Sequence, residues 1–456
     1  MVSGVSTIIL RSPFACRRAH GPWGGSYLEA LSLPRVDRCS HGFAIVPSSI
    51  SWYFGERMRS AGLAYIVTDS ISTSLLRQQL RWMREAGFDV TVISAPGERL
   101  IRCAEEEGVR AVAVPMARPI RLWQDLRSLL DLIVALRRLR PQVVNAGTPK
   151  AALLGMIASF VLRVPVRIYL VRGLRLETVR GPLRWVLALM ERLTAYCATH
   201  VLYVSQSLRD VYEGLGLGPR HKGMVLQEGS SRGVDVARYR RTDDRMDEGR
   251  ALRESLGLGP SARVAGFVGR FTKDKGIEDL VNAFLRLEGE MPDLHLLLVG
   301  PLEEDDKPAP EVVERMESHP RIHLTGPLTN VAPAYHAMDF LVLPSYREGF
   351  PNVVLEASAA GLPTIGFRST GVRDAVVDGV TGELVDTGDV EGLARAMARY
   401  AADPALCEQQ GRAAFERVQR SFAQEKVFDA LATFYRDVLA AHPDTSHLVA
   451  KLGLEG

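Results

Sequence analysis

Short apolar runs alternate with helix-length segments through most of this chain, and that alternation restricts the fold more than any other feature. Apolar runs at 64–67, 90–94, 111–114, 143–145 and 166–171 read as buried strands. Between them, 75–86, 99–107, 122–139 and 150–162 carry helical periodicity, and 68–74 reads as a polar loop. A second series places strands at 262–268, 295–299, 322–324, 340–343 and 362–367. Its helices are expected at 277–287, 331–338, 390–400 and 422–439, with another opening at Pro351 and stopping at Gly361. Strands that alternate with helices pair in parallel and are covered on both faces. The 456 residues are too many for one core. The expected fold is therefore α/β, with two doubly wound Rossmann-like domains at 63–235 and 236–403. Helices at 404–456 follow, with fraying expected past 443. Residues 1–62 show poor periodicity and read as a poorly ordered extension, or as untranslated, since Met58 immediately precedes the first strand.

In doubly wound sheets, ligands sit beyond the carboxyl ends of the strands, so the loops there carry the functional reading. After the strand at 340–343 come Glu348, Gly349, Phe350, Pro351 and Asn352, and then Glu356 inside the next helix. A helix start offers free amides and the positive end of a dipole, which suits phosphate. A carboxylate accepts two hydroxyl hydrogen bonds, which suits sugars. The plain alternative is an ordinary strand–helix unit with two solvated glutamates. After 262–268 the loop reads Gly269-Arg270-Phe271-Thr272-Lys273-Asp274-Lys275-Gly276. Arg270 can grip a phosphate bidentately and Lys275 as a point charge; solvated cations are the alternative. The strand at 322–324 leads to Gly326. In the first half, strand ends carry Ser72 and Thr73, then Asn145, Thr148 and Lys150, then Arg172. Each is also compatible with plain cap and turn chemistry.

Together these segments resemble family 4 retaining glycosyltransferases. The likeness rests on G-R-x4-K at 269–275, E-G-F-P-N-V-V-L-E at 348–356, A-G-L-P at 360–363 and G-V-R-D-A-V-V-D-G-V-T-G-E-L-V at 371–385. N-A-G-T-P-K at 145–150 and R-G-L-R-L-E at 172–177 look like the acceptor half of members that act on polyprenyl-diphosphate-linked sugars. V-S-Q-S at 204–207 resembles the family's closing segment of the first domain, and 228–235 its hinge. The resemblance implies the GT-B architecture, two domains facing a cleft, with the last helices crossing back to the first. It implies a hexosyltransferase, active in polysaccharide or glycolipid assembly, using a nucleotide sugar with UDP the commonest base. Glu348 would contact the donor sugar and Glu356 the ribose. Arg270 and Lys275 would hold the diphosphate in place of a metal, so no cofactor is expected. Gly269, Gly326, Gly349, Phe350, Pro351 and Asn352 would complete the donor site. Ser72, Thr73, Asn145, Thr148, Lys150 and Arg172 would face a lipid-linked or saccharide acceptor. Many members carry His where Asn145 stands, so a His-assisted role there is not carried over.

Charge and cysteine usage narrow the alternatives. The net charge is only +3, yet residues 61–242 hold 27 basic and 15 acidic side chains. The segment 121–140 is a basic amphipathic helix. Its leucine face is expected on the sheet; the alternative is contact with anionic lipid head groups. Aromatic platforms interleaved with the basic residues are lacking, which argues against a nucleic-acid partner. No apolar run reaches membrane-spanning length, so the expected location is cytoplasmic or peripheral at the inner membrane face. Cys16, Cys39, Cys103, Cys197 and Cys407 show no metal-ligand spacing, and the acidic run 303–306 reads as a solvated loop. Epimerases and phosphorylases that share this fold are the enzymatic alternatives.

Overall fold

A computed structural model describes residues 60–303 and 306–442. The expectations for residues 1–59, including Met58, Cys16 and Cys39, for positions 304–305 of the acidic run and for the end past 442 lie outside the described residues.

The apolar runs form two parallel sheets. The first contains β1 (Gly62–Ile66), β2 (Asp89–Ser94), β3 (Arg110–Ala113), β4 (Val143–Ala146), β5 (Val166–Val171), β6 (His200–Tyr203) and β7 (Gly223–Val225), in the order β3-β2-β1-β4-β5-β6-β7. The second contains β8 (Arg263–Val268), β9 (Leu294–Val299), β10 (Ile322–Gly326), β11 (Phe340–Leu343), β12 (Thr364–Phe367) and β13 (Gly382–Val385), in the order β10-β9-β8-β11-β12-β13. Strand order reverses between β1 and β4, and again between β8 and β11. Those two switch points are where such sheets open crevices for ligands. Each sheet has its own core, because strands buried on both faces must be apolar throughout. Tyr65, Val92, Val144 and Ile168 lie in the first, and Phe267, Leu297, Phe340 and Ile365 in the second.

Several elements depart from the sequence reading. The helix expected from 75 begins at Gln79, because Gln78 takes a left-handed conformation (φ 64°) that breaks the run. The expected polar loop 68–74 instead becomes a 3-10 turn, Ser70–Leu76, capped by Asp69. Helices Pro182–Cys197 and Pro310–Ser318 were not expected, while Pro404–Arg417 opens the helices expected over 404–456. The basic helix Leu122–Leu139 buries Ser128, Leu132 and Leu136, but Leu122, Trp123, Leu126, Leu130 and Val134 stay exposed. Its apolar stripe is thus wider than the face the sheet covers.

The last helix, Gln424–Ala440, belongs to the first core by its packing: Phe428, Leu431, Phe434, Tyr435 and Leu439 lie there. It is reached after Val234 and Ala423 pair as an isolated bridge, so the chain crosses between the sheets twice side by side.

Candidate active site

The second switch point gathers the basic loop and the acidic loop. Lys275 ends a 3-10 turn (Lys273–Lys275) after β8, while Glu348 follows β11. Lys275 Nζ donates to Glu348 Oε1, and both side chains are mostly buried, at 24% and 13% exposed. Gly276 must be glycine, because a Cβ would lie 2.0 Å from the Pro344 carbonyl oxygen, with φ at 67°. That contact presses the Lys275 turn against the start of the Glu348 loop. Arg270 is exposed and pairs with Glu303 at 3.2 Å. Gly269 and Gly326 stand at the ends of β8 and β10; between them Gly300 N donates to the Gly326 carbonyl at 3.0 Å and Gly269 N to Val299 at 2.9 Å.

Glu356 lies within the helix Asn352–Ala359, whose N-cap is Pro351 and whose first turn has no side-chain cap. Tyr335 Oη donates to its Oε2 at 2.8 Å, and Arg232 stands 3.6 Å from Oε1. Burial pushes the Glu356 carboxyl above its usual range, opposed by Arg232 and the Tyr335 bond. Phe350 packs on Phe422, ring centres 5.2 Å apart. Gly349 is fitted against the first sheet, where a Cβ would sit 1.8 Å from the Arg172 carbonyl oxygen. Lys275 and Glu348 are therefore in contact, whereas Glu356 has its own partners.

The residues singled out on the first sheet are less alike. Thr148 Oγ1 accepts from Thr68 N at 2.9 Å, bridging β4 to β1 across the first switch point. Ser72 is tied to Asp69, N to Oδ1 at 2.9 Å and Oγ to Oδ1 at 3.1 Å. Thr73 is buried with its hydroxyl on the Ser70 carbonyl at 2.7 Å. Lys150 is buried and paired to Asp125 at 2.6 Å. Asn145 is buried too, and its Nδ2 donates to Tyr435 Oη at 2.7 Å. Arg172 Nη1 donates to Ser231 Oγ at 2.5 Å. Burial and Arg232 pull the Arg172 guanidinium down to about 10.

Sequence reasoning missed the groups that join the two halves. Ser205 Oγ donates to the Gly349 carbonyl at 2.7 Å. Ser207 N donates to Asp374 Oδ1 at 3.0 Å, and Gly371 N donates to Ser207 Oγ at 2.8 Å. Thr370 Oγ1 donates to Glu177 Oε2 at 2.6 Å. The two serines stand in the V-S-Q-S segment and Arg232 in the hinge, so a signal existed there; Tyr335 and Thr370 gave none.

Comparison with known proteins shows the family and the fold. The description "Glycosyl transferases group 1" matches residues 262–403 and "Glycosyl transferase 4-like domain" matches 73–229. The capsular polysaccharide biosynthesis glycosyltransferase CapM of Staphylococcus aureus is 34% identical over 384 residues, 84% of this chain and 98% of that protein. The chain is a family 4 glycosyltransferase. This glycosyltransferase is also 25% identical, over 72% of its length and 84% of the relative's, to an Escherichia coli UDP-Gal:alpha-D-GlcNAc-diphosphoundecaprenol alpha-1,3-galactosyltransferase. Among solved structures, Anabaena Alr3699/HepE in complex with UDP-glucose superposes with a TM-score of 0.68 at 19% identity, covering 82% of this chain and 99% of that one. The fold is thus GT-B.

Proposed function

We propose that this glycosyltransferase moves a hexosyl group from a UDP-sugar to a lipid-linked saccharide, with retained anomeric configuration, in polysaccharide or glycolipid assembly. The observation that carries the reading is the Lys275–Glu348 pair at the second switch point. It supplies one cation for a diphosphate and one carboxylate for sugar hydroxyls in a single spot. Residues 236–403 form the donor half. There Lys275 and Arg270 stabilise the negative charge that grows on the leaving diphosphate as the glycosidic bond breaks, a task that needs no metal. Glu348 holds the sugar and Glu356 the ribose diol, while the first-turn amides of the Asn352 helix face the phosphates. Gly269, Gly326, Gly349, Phe350 and Pro351 shape the walls. Residues 63–235 form the acceptor half. Thr148, Ser72 and Arg172 contact the acceptor there, and buried Asn145, Thr73 and Lys150 hold the loops that carry them. The named donor and acceptor of the Escherichia coli relative, and the UDP-glucose in HepE, support the substrate classes.

The acceptor half carries the surface such an acceptor calls for. The helices Leu122–Leu139, Pro149–Val161 and Pro182–Cys197 pack side by side. On them Trp123 (86%), Leu122 (80%), Trp185 (76%), Leu189 and Tyr196 (66% each) stand in solvent. Exposed Arg121, Arg127, Arg163, Arg184 and Arg192 lie among them. A mainly aliphatic patch tipped by two indoles, with cations at its edges, matches the interface of an anionic bilayer. No helix among the described residues is long and apolar enough to cross a membrane. The proposed contact is peripheral, made by these side chains.

The test is thermal stabilisation by UDP, GDP and ADP, with and without magnesium, in wild type and Glu356→Ala. A shift with UDP alone, independent of magnesium and lost in the variant, is the expected result. A shift with another nucleotide reassigns the base, and no shift at millimolar nucleotide overturns the donor site.

A further inference from the structure

Glu177 ends the R-G-L-R-L-E segment and has no donor or acceptor contact in the proposed function, yet it crosses between the two halves. It ends a 3-10 turn (Arg175–Glu177) beyond β5, anchored by buried Leu174 and Leu176. Its Oε2 accepts from Thr370 Oγ1 at 2.6 Å, and Thr370 lies in the loop after β12. The Thr370 carbonyl accepts the Glu348 N–H at 2.9 Å. The next residue, Gly371 (φ 77°), is so close that a Cβ would lie 2.7 Å from the Glu348 carbonyl oxygen and 2.6 Å from that of Gly349. The Thr370 loop therefore cannot shift without moving the Glu348 backbone.

The carboxylate is costly where it stands. Its Oε1 is buried with no hydrogen-bond partner. Burial raises its proton affinity, opposed by the Thr370 bond and by Arg347 and Arg373. Those two guanidiniums are engaged elsewhere, Arg347 with Asp274 and Arg373 with Asp210 at 3.9 Å. A half-satisfied buried charge weakens a fold. A structural clamp between the halves is already supplied by Ser205 on the Gly349 carbonyl and by Ser207 on Gly371 N and Asp374.

We propose that Glu177 is a positioning residue for the transfer: reaching from the acceptor half onto Thr370, it fixes the loop that sets Glu348 when the halves close. The inference rests on the reading of Glu348 as a donor-sugar contact.

The experiment compares wild type, Glu177→Ala, Glu177→Gln, Thr370→Val and the Glu177→Ala/Thr370→Val double variant. Each is assayed for UDP release from whichever of UDP-glucose, UDP-galactose and UDP-N-acetylglucosamine the wild type consumes with water as acceptor, and for thermal stabilisation by UDP. Glu177→Ala and Thr370→Val are each expected to lower kcat about tenfold, with KM within about twofold and the UDP-induced shift intact. The double variant should be no worse than either single one, because both remove the same bond. Glu177→Gln can still accept the threonine hydroxyl and should stay within about threefold of wild type. Wild-type kcat in Glu177→Ala, additive losses in the double variant, or kcat and UDP stabilisation falling together would overturn the proposal while leaving the donor site standing. Absence of UDP stabilisation in the wild type itself would remove the donor-site reading, and this proposal with it.

Discussion

The helix Ile277–Arg286 of the second half turns Ile277, Leu280, Val281, Ala283 and Phe284 inward. The helix Pro182–Cys197 of the first half buries only Thr194, Ala195 and Cys197, and leaves Leu183, Trp185, Val186, Leu189, Leu193 and Tyr196 in solvent. Both helices are amphipathic and both flank a parallel sheet. They differ in which partner takes the apolar face. Large apolar side chains left together on a surface mark an interface. The same layered architecture thus serves two ends here. The second half turns the apolar face of its helix into the core, and the first leaves one apolar helix face in solvent.

The most severe test of that contrast is Lys275→Ala. If the second half is the seat of charge stabilisation, kcat should fall on the order of 10² to 10³, as when a single transition-state donor is lost elsewhere. Binding to vesicles should not change. Wild-type turnover in this variant would end the assignment.

The complementary variant, Trp123→Ser with Trp185→Ser, should leave UDP stabilisation alone and weaken partition onto phosphatidylglycerol-containing vesicles by roughly 10- to 100-fold, the worth of two indole rings withdrawn from an apolar phase. Binding by apolar insertion should also persist in about 1 M salt, where attraction by charge alone is screened. If instead these substitutions convert a dimer to a monomer in sedimentation, with vesicle binding unmoved, the face serves self-association.

The smallest effect concerns acid stability of the second half. His336 is buried, and burial, reinforced by Arg241 and Arg245, pulls its pKa from 6.5 to about 4. Between those values the unfolded chain holds a proton that the folded one refuses. Stability from this site is therefore complete above pH 6.5 and drains away as pH falls toward 4. His336→Gln should flatten the decline in unfolding free energy over that interval, read from denaturant melts at each pH, by an amount on the order of 2 kcal/mol. An unchanged pH profile would mean the ring is protonated in place.

Much of this was legible in the sequence because it is local. Parallel strands buried on both faces read as unbroken apolar runs, and the loops holding Lys275 and Glu348 are each a strand end followed by a helix start. The open apolar face of the helix Pro182–Cys197 could not be read, because periodicity says which residues share a face and not what covers it. Asn145 reads as a strand-end polar group, yet its amide meets Tyr435, 290 residues away. Glu177 reads as part of a loop, yet it meets Thr370, 193 residues on.

By itself, then, the sequence determined the alternation of strands and helices, hence two doubly wound domains, and it marked the strand-end loops proposed to hold phosphate and sugar. These follow from backbone pairing and from burial over a few neighbouring residues. Only the tertiary structure decided which apolar face stayed open, which polar groups were consumed inside the protein, and which residue of one half touches the site of the other. Those outcomes depend on contacts between segments hundreds of residues apart, and no local pattern encodes them.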